Sequence, residues 1–249
     1  MMNRKGISLR ALGMALTALV VAACDSSNNN GNNMTPPAPP PPPAMATFEV
    51  TVNNLTNSQP LSPVAVIAHG AAYSVFTIGT AATAGLEELA EGGDNTNLIA
   101  EADADAAVVA TASGAGPIGP AGSETITIEV LESDLPDLTI STSTMLVNTN
   151  DAITGINAAA VGDMLAGDMM TWRTIAYDAG TEADTELAAH IPGPAGGGEG
   201  FNAARDDMAD RVAMHRGVVG QDDGFAGSDL SGQHKFDNPV AAVRIERID

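Results

Sequence analysis

Carboxylates clustered in the segment TWRTIAYDAGTEADTEL are the side chains of this chain best suited to chemistry. β-Branched and aromatic residues are dense in residues 171–177 and predict a β-strand. Asp178 ends that strand, and Glu182 follows beyond Gly180, where the backbone can turn sharply. Calcium takes several oxygen ligands from flexible loops of this kind. The segment therefore predicts part of a calcium site.

A third carboxylate, Asp151, lies upstream in MLVNTNDAITG, where a second predicted strand ends in a turn. Loops that are distant in sequence can meet at one end of a β-sandwich. Three carboxylates brought together in this way repel one another unless a cation lies between them. We predict Asp151, Asp178 and Glu182 as metal ligands for Ca²⁺, and Asp184, Asn148 and backbone carbonyls could fill the remaining positions.

Simpler explanations of the same residues stay open at this point. Asp151 alone could serve as a turn or helix-cap aspartate, because aspartate favours both positions. Asp178 and Glu182 could belong to a solvated acidic loop that binds no ion. Only the convergence of the two loops on one point would separate these explanations from a metal site.

No other motif in the chain indicates catalysis, and we predict that the protein is not an enzyme. The histidines show no HExxH spacing, and no GxSxG, GxGxxG or Walker loop is present. The spacing of Glu101, Asp103 and Asp105 matches the first positions of an EF-hand loop. The glycine and the terminal glutamate of that motif are missing, so these residues are better explained as the surface of a helix. A hydrolase that uses Asp178 with a histidine is a remaining alternative that no spacing supports.

The elements that would position these carboxylates are mostly strands. Alternating or apolar runs predict strands at residues 48–53, 64–69, 125–130, 141–147, 171–177, 211–219 and 240–248. Alternation with polar faces outward predicts an all-β fold, an antiparallel β-sandwich. Residues 84–91 and 96–107 lack alternation and predict short helical insertions.

The N-terminus predicts export and a lipid anchor. Residues 1–23 have a basic start and an apolar run, as in a signal peptide, and the chain's single cysteine, Cys24, follows them where a bacterial lipobox needs it. An ordinary signal with a chance cysteine is the alternative. Acylation at Cys24 would anchor the protein to the membrane of a bacterial cell envelope, on the periplasmic side or the outer surface. Residues 24–46 form an Asn/Pro-rich linker, and residues 47–249 form one domain.

The charge excludes one class of partner. Seven Lys and Arg against 31 Asp and Glu after Cys24 give the mature chain a net charge of −24. Such a surface repels nucleic acid. Solubility in a salty medium explains most of this acidity. Only carboxylates that cluster at one site require a bound cation as an explanation.

Two segments of the chain resemble the paired motifs of the spondin N-terminal domain family, namely MLVNTNDAITG and, after it, YDAGTEADTEL. Two further segments resemble bacterial members of the same family, namely the opening TFEVTVNNLTNSQPLSPVAVIAH and the closing NPVAAVRIERI. The resemblance implies a β-sandwich like that of calcium-dependent membrane-binding domains. It also implies calcium-binding roles for Asp151, Asp178 and Glu182. This chain departs from the family pattern at Asn150 and Ala152, which flank the first aspartate, and at Glu182, where an aspartate is usual.

These observations together predict a lipid-anchored, non-catalytic binding or adhesion module that depends on calcium. Its partner would be an extracellular or periplasmic ligand, a protein or a polysaccharide. The alternative is a structural envelope protein whose acidic loops are only solvated.

Overall fold

Residues 48–53, whose alternation predicts a strand, belong to an interior strand of one of two antiparallel sheets. The computed structural model describes residues 40–207 and 209–249. The predicted signal at residues 1–23 and the predicted lipidation site Cys24 lie outside the described residues. No helix within the described ranges has the length and apolar character needed to cross a membrane.

Eleven strands and two helices of the described residues form the fold. In chain order they are β1 (Met45–Asn54), β2 (Ala65–His69), α1 (Ala84–Gly92), α2 (Thr96–Asp103), β3 (Val108–Ser113), β4 (Ser123–Leu131), β5 (Thr139–Met145), β6 (Ala152–Thr154), β7 (Ala159–Ala160), β8 (Met169–Thr174), β9 (Ala176–Asp178), β10 (Ala213–Met214) and β11 (Ala241–Arg247). Short 3₁₀ turns lie at Glu132–Asp134, Ala188–His190, Gln221–Asp223 and Gly232–His234.

The strands pair into two sheets. The first sheet has the order β4-β1-β11-β8, and the second has the order β10-β9-β6-β5-β2-β3, with β7 paired to β5. All of these pairs are antiparallel. The prediction of an all-β antiparallel sandwich with short helical insertions is confirmed.

Two apolar layers hold the sheets in place. Phe48 and Val50 of β1 and Val243 of β11 pack with Val66 and Ile140 of the second sheet in the main core. Burial of these side chains follows from the alternation of each strand, which sends every second residue inward. A second cluster packs Leu86, Leu89 and Leu98 of the helices against Ala65 and Ile67, so the helices cover the outer face of β2.

The predicted strand at residues 171–177 is two strands in different sheets. It breaks at Ile175, whose carbonyl accepts a hydrogen bond from Thr154 Oγ1 at 2.9 Å. The N–H of Ala176 donates to Asn238 Oδ1 at 2.8 Å instead of continuing the ladder with β11. The chain therefore passes from β8 in the first sheet to β9 in the second, and this crossing carries Asp178 to the second sheet.

Other differences are smaller. The predicted strand at residues 211–219 is reduced to Ala213–Met214, and the second helix ends at Asp103 rather than at residue 107. Strands β3, β6 and β7 were not predicted, because they are too short or too polar to show a period of two. Of these, β6 matters most, since it begins directly after Asp151.

Candidate metal site

Asp151 is held by the turn between β5 and β6. Thr149 Oγ1 donates to the carbonyl of Leu146 at 2.6 Å and accepts from the N–H of Ala152 at 3.0 Å. The N–H of Leu146 donates to the carbonyl of Ala152 at 2.8 Å, which closes the turn. Asp151 lies inside this turn and is fully buried.

Strand pairing brings Asp178 beside this turn. β6 and β9 pair with Ala152 opposite Asp178, and β10 pairs on the other side with Ala213 opposite Asp178. The N–H of Ala179 then donates to the carbonyl of Asp151 at 3.2 Å. The two sequence-predicted loops therefore converge, as the prediction of a shared site requires.

Gly180 makes the sharp turn that follows Asp178. Its φ is +72°, and its N–H donates to Asp178 Oδ1 at 2.8 Å. A Cβ at this position would lie 2.6 Å from the carbonyl carbon of Arg211, closer than side chains come to backbone. Glycine is therefore required for the close approach as well as for the left-handed backbone.

Asp184 completes a group of three carboxylates. Asp151, Asp178 and Asp184 each offer one carboxylate oxygen, and these atoms all lie within 4.8 Å of one another. Asp184 lies in the acidic loop, defined here as residues 179–187. His215 Nε2 lies 3.4 Å from Asp184 Oδ1, and Arg216 Nε lies 3.3 Å from Asp184 Oδ2.

The two oxygens of Asp151 have different surroundings. Oδ2 accepts hydrogen bonds from the N–H groups of Thr181 at 2.8 Å and Glu182 at 3.2 Å. Oδ1 is buried and has no hydrogen-bond partner among the described residues. A buried carboxylate oxygen without a partner is costly, and a cation bound beside it would remove that cost.

The charges of the group support the same conclusion. Burial, and then the charge of Asp178, raise the pKa of Asp151 to about 7, although the two amides on Oδ2 act in the other direction. Burial and the charge of Asp184 likewise raise the pKa of Asp178. Burial disfavours ionisation of Asp184 as well, but contact with His215 and the charges of His215 and Arg216 outweigh it and lower its pKa. Ionising Asp151 and Asp178 together is therefore unfavourable without a cation, and the residues fit a bound cation, which would offset that cost.

Glu182 lies near this group without joining it. Its N–H binds Asp151, but its carboxylate points elsewhere, with Oε1 lying 3.6 Å from His190 Nδ1. The structure thus brings together two of the three predicted ligands, and Asp184 supplies the third carboxylate. The sequence predicted Asp184 only as an additional ligand. Its contacts with His215 and Arg216 are tertiary, so the sequence around Asp184 does not reveal them.

A family comparison identifies the domain that contains this group. Residues 53–190 match the model of the Spondin_N family, and this span is more than half of the chain. The chain belongs to the spondin N-terminal family. Among curated proteins, none matches the chain.

The matched span of the spondin domain contains the whole carboxylate group, since Asp151, Asp178 and Asp184 all lie between residues 53 and 190. It leaves out β10 and β11, although β10 pairs beside Asp178. Membership gives the broad class of a non-catalytic extracellular binding module.

Proposed function

We propose that this protein is a lipid-anchored envelope protein whose spondin domain binds calcium through Asp151, Asp178 and Asp184 and acts as a non-catalytic binding or adhesion module. The observation that carries the proposal is the buried Asp151 carboxylate. Its Oδ1 has no hydrogen-bond partner among the described residues, and one oxygen of this carboxylate lies within 4.8 Å of one oxygen each of Asp178 and Asp184. A cation at this point would satisfy the oxygen and offset the mutual repulsion of the three charges.

Calcium fits this group better than other common metals. The three candidate ligands are all carboxylates, which suit hard cations, whereas zinc sites draw mainly on histidine and cysteine. Magnesium demands near-ideal octahedral geometry, while calcium accepts six to eight oxygens in flexible arrangements. The ligands here come from a turn, a strand end and a loop, which is an irregular arrangement of the kind that calcium tolerates.

The ion would stabilise one end of the sandwich. It would add a link between the β5–β6 turn, the end of β9 and the acidic loop, which the β6–β9 pairing and the amides that bind Asp151 already connect. A cavity of about 380 Å³ opens beside the group, lined by Asp178, Ala183, Asp184, Asp207, Met214 and Arg216. A partner carboxylate or hydroxyl that enters this cavity could complete the coordination of the ion, which would make adhesion depend on calcium.

The proposals of a lipid anchor and of an extracellular or periplasmic partner are supported by the sequence alone. Acylation of Cys24 would hold the spondin domain at the periplasmic or outer surface of the envelope, separated from the lipid by the proline-rich linker. Cys24→Ser should then move the protein from the membrane fraction to the soluble fraction. The ligand would be an extracellular or periplasmic protein or polysaccharide.

Isothermal titration of calcium into the chelator-treated protein tests the calcium step. We expect a binding isotherm that Asp178→Asn abolishes and Asp163→Asn preserves, because Asp163 is an exposed aspartate outside the group. Titration with magnesium should give weaker binding. If Asp178→Asn and Asp163→Asn bind calcium alike, or if calcium and magnesium both act only weakly and equally, the acidic loops are merely solvated and the structural-protein alternative holds.

A further inference from the structure

Strand β8 forms one edge of the four-stranded sheet, and on the side away from β11 it pairs with no strand of the described residues. This side is called the free edge. The carbonyls of Asp168 and Thr174 point towards β11, where each accepts a backbone hydrogen bond. Alternate residues of a strand direct their backbone groups to opposite sides. Met169, Thr171 and Arg173 therefore present their N–H and C=O groups to the free edge.

The free edge of β8 is apolar and unprotected. Met169 and Met170 are 55% and 42% exposed, and Trp172 is half-buried. Soluble proteins usually protect an edge strand with charged side chains, proline or a bulge, because unpaired backbone groups accept a further strand. The opposite edge of the same sheet, β4, has the charge of Glu129 at an exposed position, whereas Arg173 is the only charged residue of β8. The free edge is therefore suited to pair with another strand.

Two cavities lie beside this edge, between β8 and the second sheet, and together they are called the edge groove. The first, of about 700 Å³, is lined by Met170 and Leu138 among others, and the second, of about 510 Å³, by Met170, Trp172 and residues 155–160. Trp172 lies opposite Val243 of β11 and packs against the main core, so this face of β8 is the inner one. A strand added at the free edge would place its own alternate side chains over the groove.

The sequence of β8 is complementary to itself in the antiparallel direction. With Thr171 of two copies placed opposite each other, Met170 of each copy lies opposite Trp172 of the other. Contact between a methionine sulfur and an aromatic ring is favourable, and so is a cross-strand pair of threonines. In the same register Arg173 of each copy lies opposite Met169 of the other. All the backbone groups of the free edge are then paired.

The charges at the two ends of β8 also favour this direction. Arg173 lies near one end, whereas Asp163 and Asp168 line the first cavity together with Met169 at the other end. Antiparallel pairing brings Arg173 of each copy to the acidic end of the other, while parallel pairing would place like charges together. Complementary charges across an interface fix its register and orientation. The edge therefore matches a second copy of itself.

We propose that two copies of this chain associate through β8, in an antiparallel pair centred on Thr171, and form one continuous sheet of eight strands. Met170 and Trp172 of each copy would cover the edge groove of the other. Open sheets of this size are common in proteins. The pairing requires neither calcium nor acylation of Cys24, so it does not rest on the proposed function. Because each mature chain has a net charge of −24, added salt should strengthen the pairing by screening the overall repulsion.

Disulfide crosslinking at Thr171 tests the geometry. Opposite Cα atoms of a hydrogen-bonded antiparallel pair lie about 5.5 Å apart, within the range of about 4.4–6.8 Å that a disulfide spans. The full chain would carry Cys24→Ser, which removes its one native thiol. In that chain Thr171→Cys should form a covalent dimer on mild oxidation, whereas Thr127→Cys, at an exposed position of β4, should stay monomeric. Equal crosslinking of the two variants would overturn the proposal.

Sedimentation equilibrium of charge variants tests the two-fold centre. Thr171→Lys and Thr171→Glu each place like charges opposite each other, so each alone should raise the dissociation constant of the dimer at least about tenfold. An equimolar mixture of the two should restore dimers, because opposite charges then meet at the centre. Thr127→Lys is the matched control and should associate like the wild type. Thr171 is exposed, so the variants should keep the melting temperature of the wild-type chain, which shows that they fold.

The remaining outcomes are decisive as well. A wild-type chain that stays monomeric at millimolar concentration in both low and high salt would overturn the proposal. A dimer that persists in both Thr171 variants would place the interface elsewhere, and a mixture that associates no better than the single variants would exclude the two-fold centre. Asp178→Asn should dimerise like the wild type whatever the calcium titration shows, so failure of the calcium site and failure of this interface are distinguishable.

Discussion

Asp151 Oδ2 accepts a hydrogen bond of 2.8 Å from the N–H of Thr181, thirty residues further along the chain. This bond ties the β5–β6 turn to the acidic loop through one oxygen of the carboxylate. The other oxygen, Oδ1, remains buried without a partner among the described residues, and the side chain belongs to the group with Asp178 and Asp184. One side chain therefore organises the loop with one oxygen and leaves its other oxygen free to bind a cation.

Substitutions of Asp151 should separate these two roles. Asp151→Ala removes the acceptor of the Thr181 and Glu182 amides, whereas Asp151→Asn keeps an acceptor of similar shape. In chelator we expect Asp151→Asn to be more stable than Asp151→Ala by about 1–3 kcal/mol, the cost of leaving a buried donor unpaired. Both variants should lose the stabilisation that calcium gives. Urea unfolding with and without calcium measures both effects, and equal stabilities in chelator would contradict the organising role.

Removal of calcium should destabilise the wild-type protein. A ligand at about 100 times its dissociation constant stabilises a protein by about 2.7 kcal/mol. For a domain of this size that corresponds to a rise in melting temperature of roughly 5–11 °C. Differential scanning calorimetry should show this rise with calcium, a smaller one with magnesium and none for Asp178→Asn. Equal shifts with both cations would indicate screening rather than a specific site.

Gly180→Ala should cost more stability than an alanine at another glycine of positive φ. Gly180 and Gly79 have φ values of +72° and +88°, but a Cβ at Gly79 meets no atom within 4 Å, whereas one at Gly180 collides with the backbone of Arg211. Gly79→Ala should cost about 1–2 kcal/mol for the left-handed backbone alone. Gly180→Ala should cost more than this and weaken calcium binding, because Asp178 and Asp184 flank it. Chemical denaturation of both variants, with the calcium titration repeated on each, makes the comparison. Equal losses of stability would contradict the steric argument.

The calcium-free protein should lose stability as the pH rises through the range in which Asp151 ionises. Burial and the charge of Asp178 raise the pKa of this side chain from 3.8 to about 7. Between these values the folded state holds a proton that the unfolded state has released, so the stability contributed by this group falls with rising pH. Calcium should oppose the loss, because it favours the ionised carboxylate.

Melting temperatures between pH 4 and 7, measured in chelator and in calcium, test this pH dependence. Asp151→Asn serves as the control, because the charges of the other carboxylates remain while this group no longer titrates. The curve of the variant in chelator should be flatter than that of the wild type. Parallel curves for the two proteins would show that Asp151 ionises normally in the folded state.

Much of the fold could be predicted because its strands alternate regularly. Residues 48–53 and 240–248 show a clear period of two, and they pair as β1 and β11, with Val50 opposite Ile245. The break at Ile175 could not be predicted in this way. Residues 171–177 keep a strand-like composition throughout. The crossing between sheets depends on a hydrogen bond that Thr154 donates and on one that Asn238 accepts, and both residues are distant in sequence.

The candidate site was predictable in part. Asp151 and Asp178 could be proposed as neighbours because each lies at a predicted strand end, and the pairing of β6 with β9 brings them together. The path of the acidic loop decides which of its acids joins them, and this path depends on the amides that bind Asp151 and on the contacts of Asp184 with His215 and Arg216. Those contacts are tertiary, so no local pattern distinguishes Asp184 from Glu182.

The position of a bound ion tests the central claim most directly. Crystals of the protein grown with calcium, or with terbium as an anomalous substitute, would locate the ion. The account predicts a peak bonded to carboxylate oxygens of Asp151, Asp178 and Asp184, at about 2.3–2.6 Å for calcium, with Asp151 Oδ1 among the ligands. Ordered density for these three side chains without a peak between them, at a calcium concentration that saturates binding in solution, would contradict it.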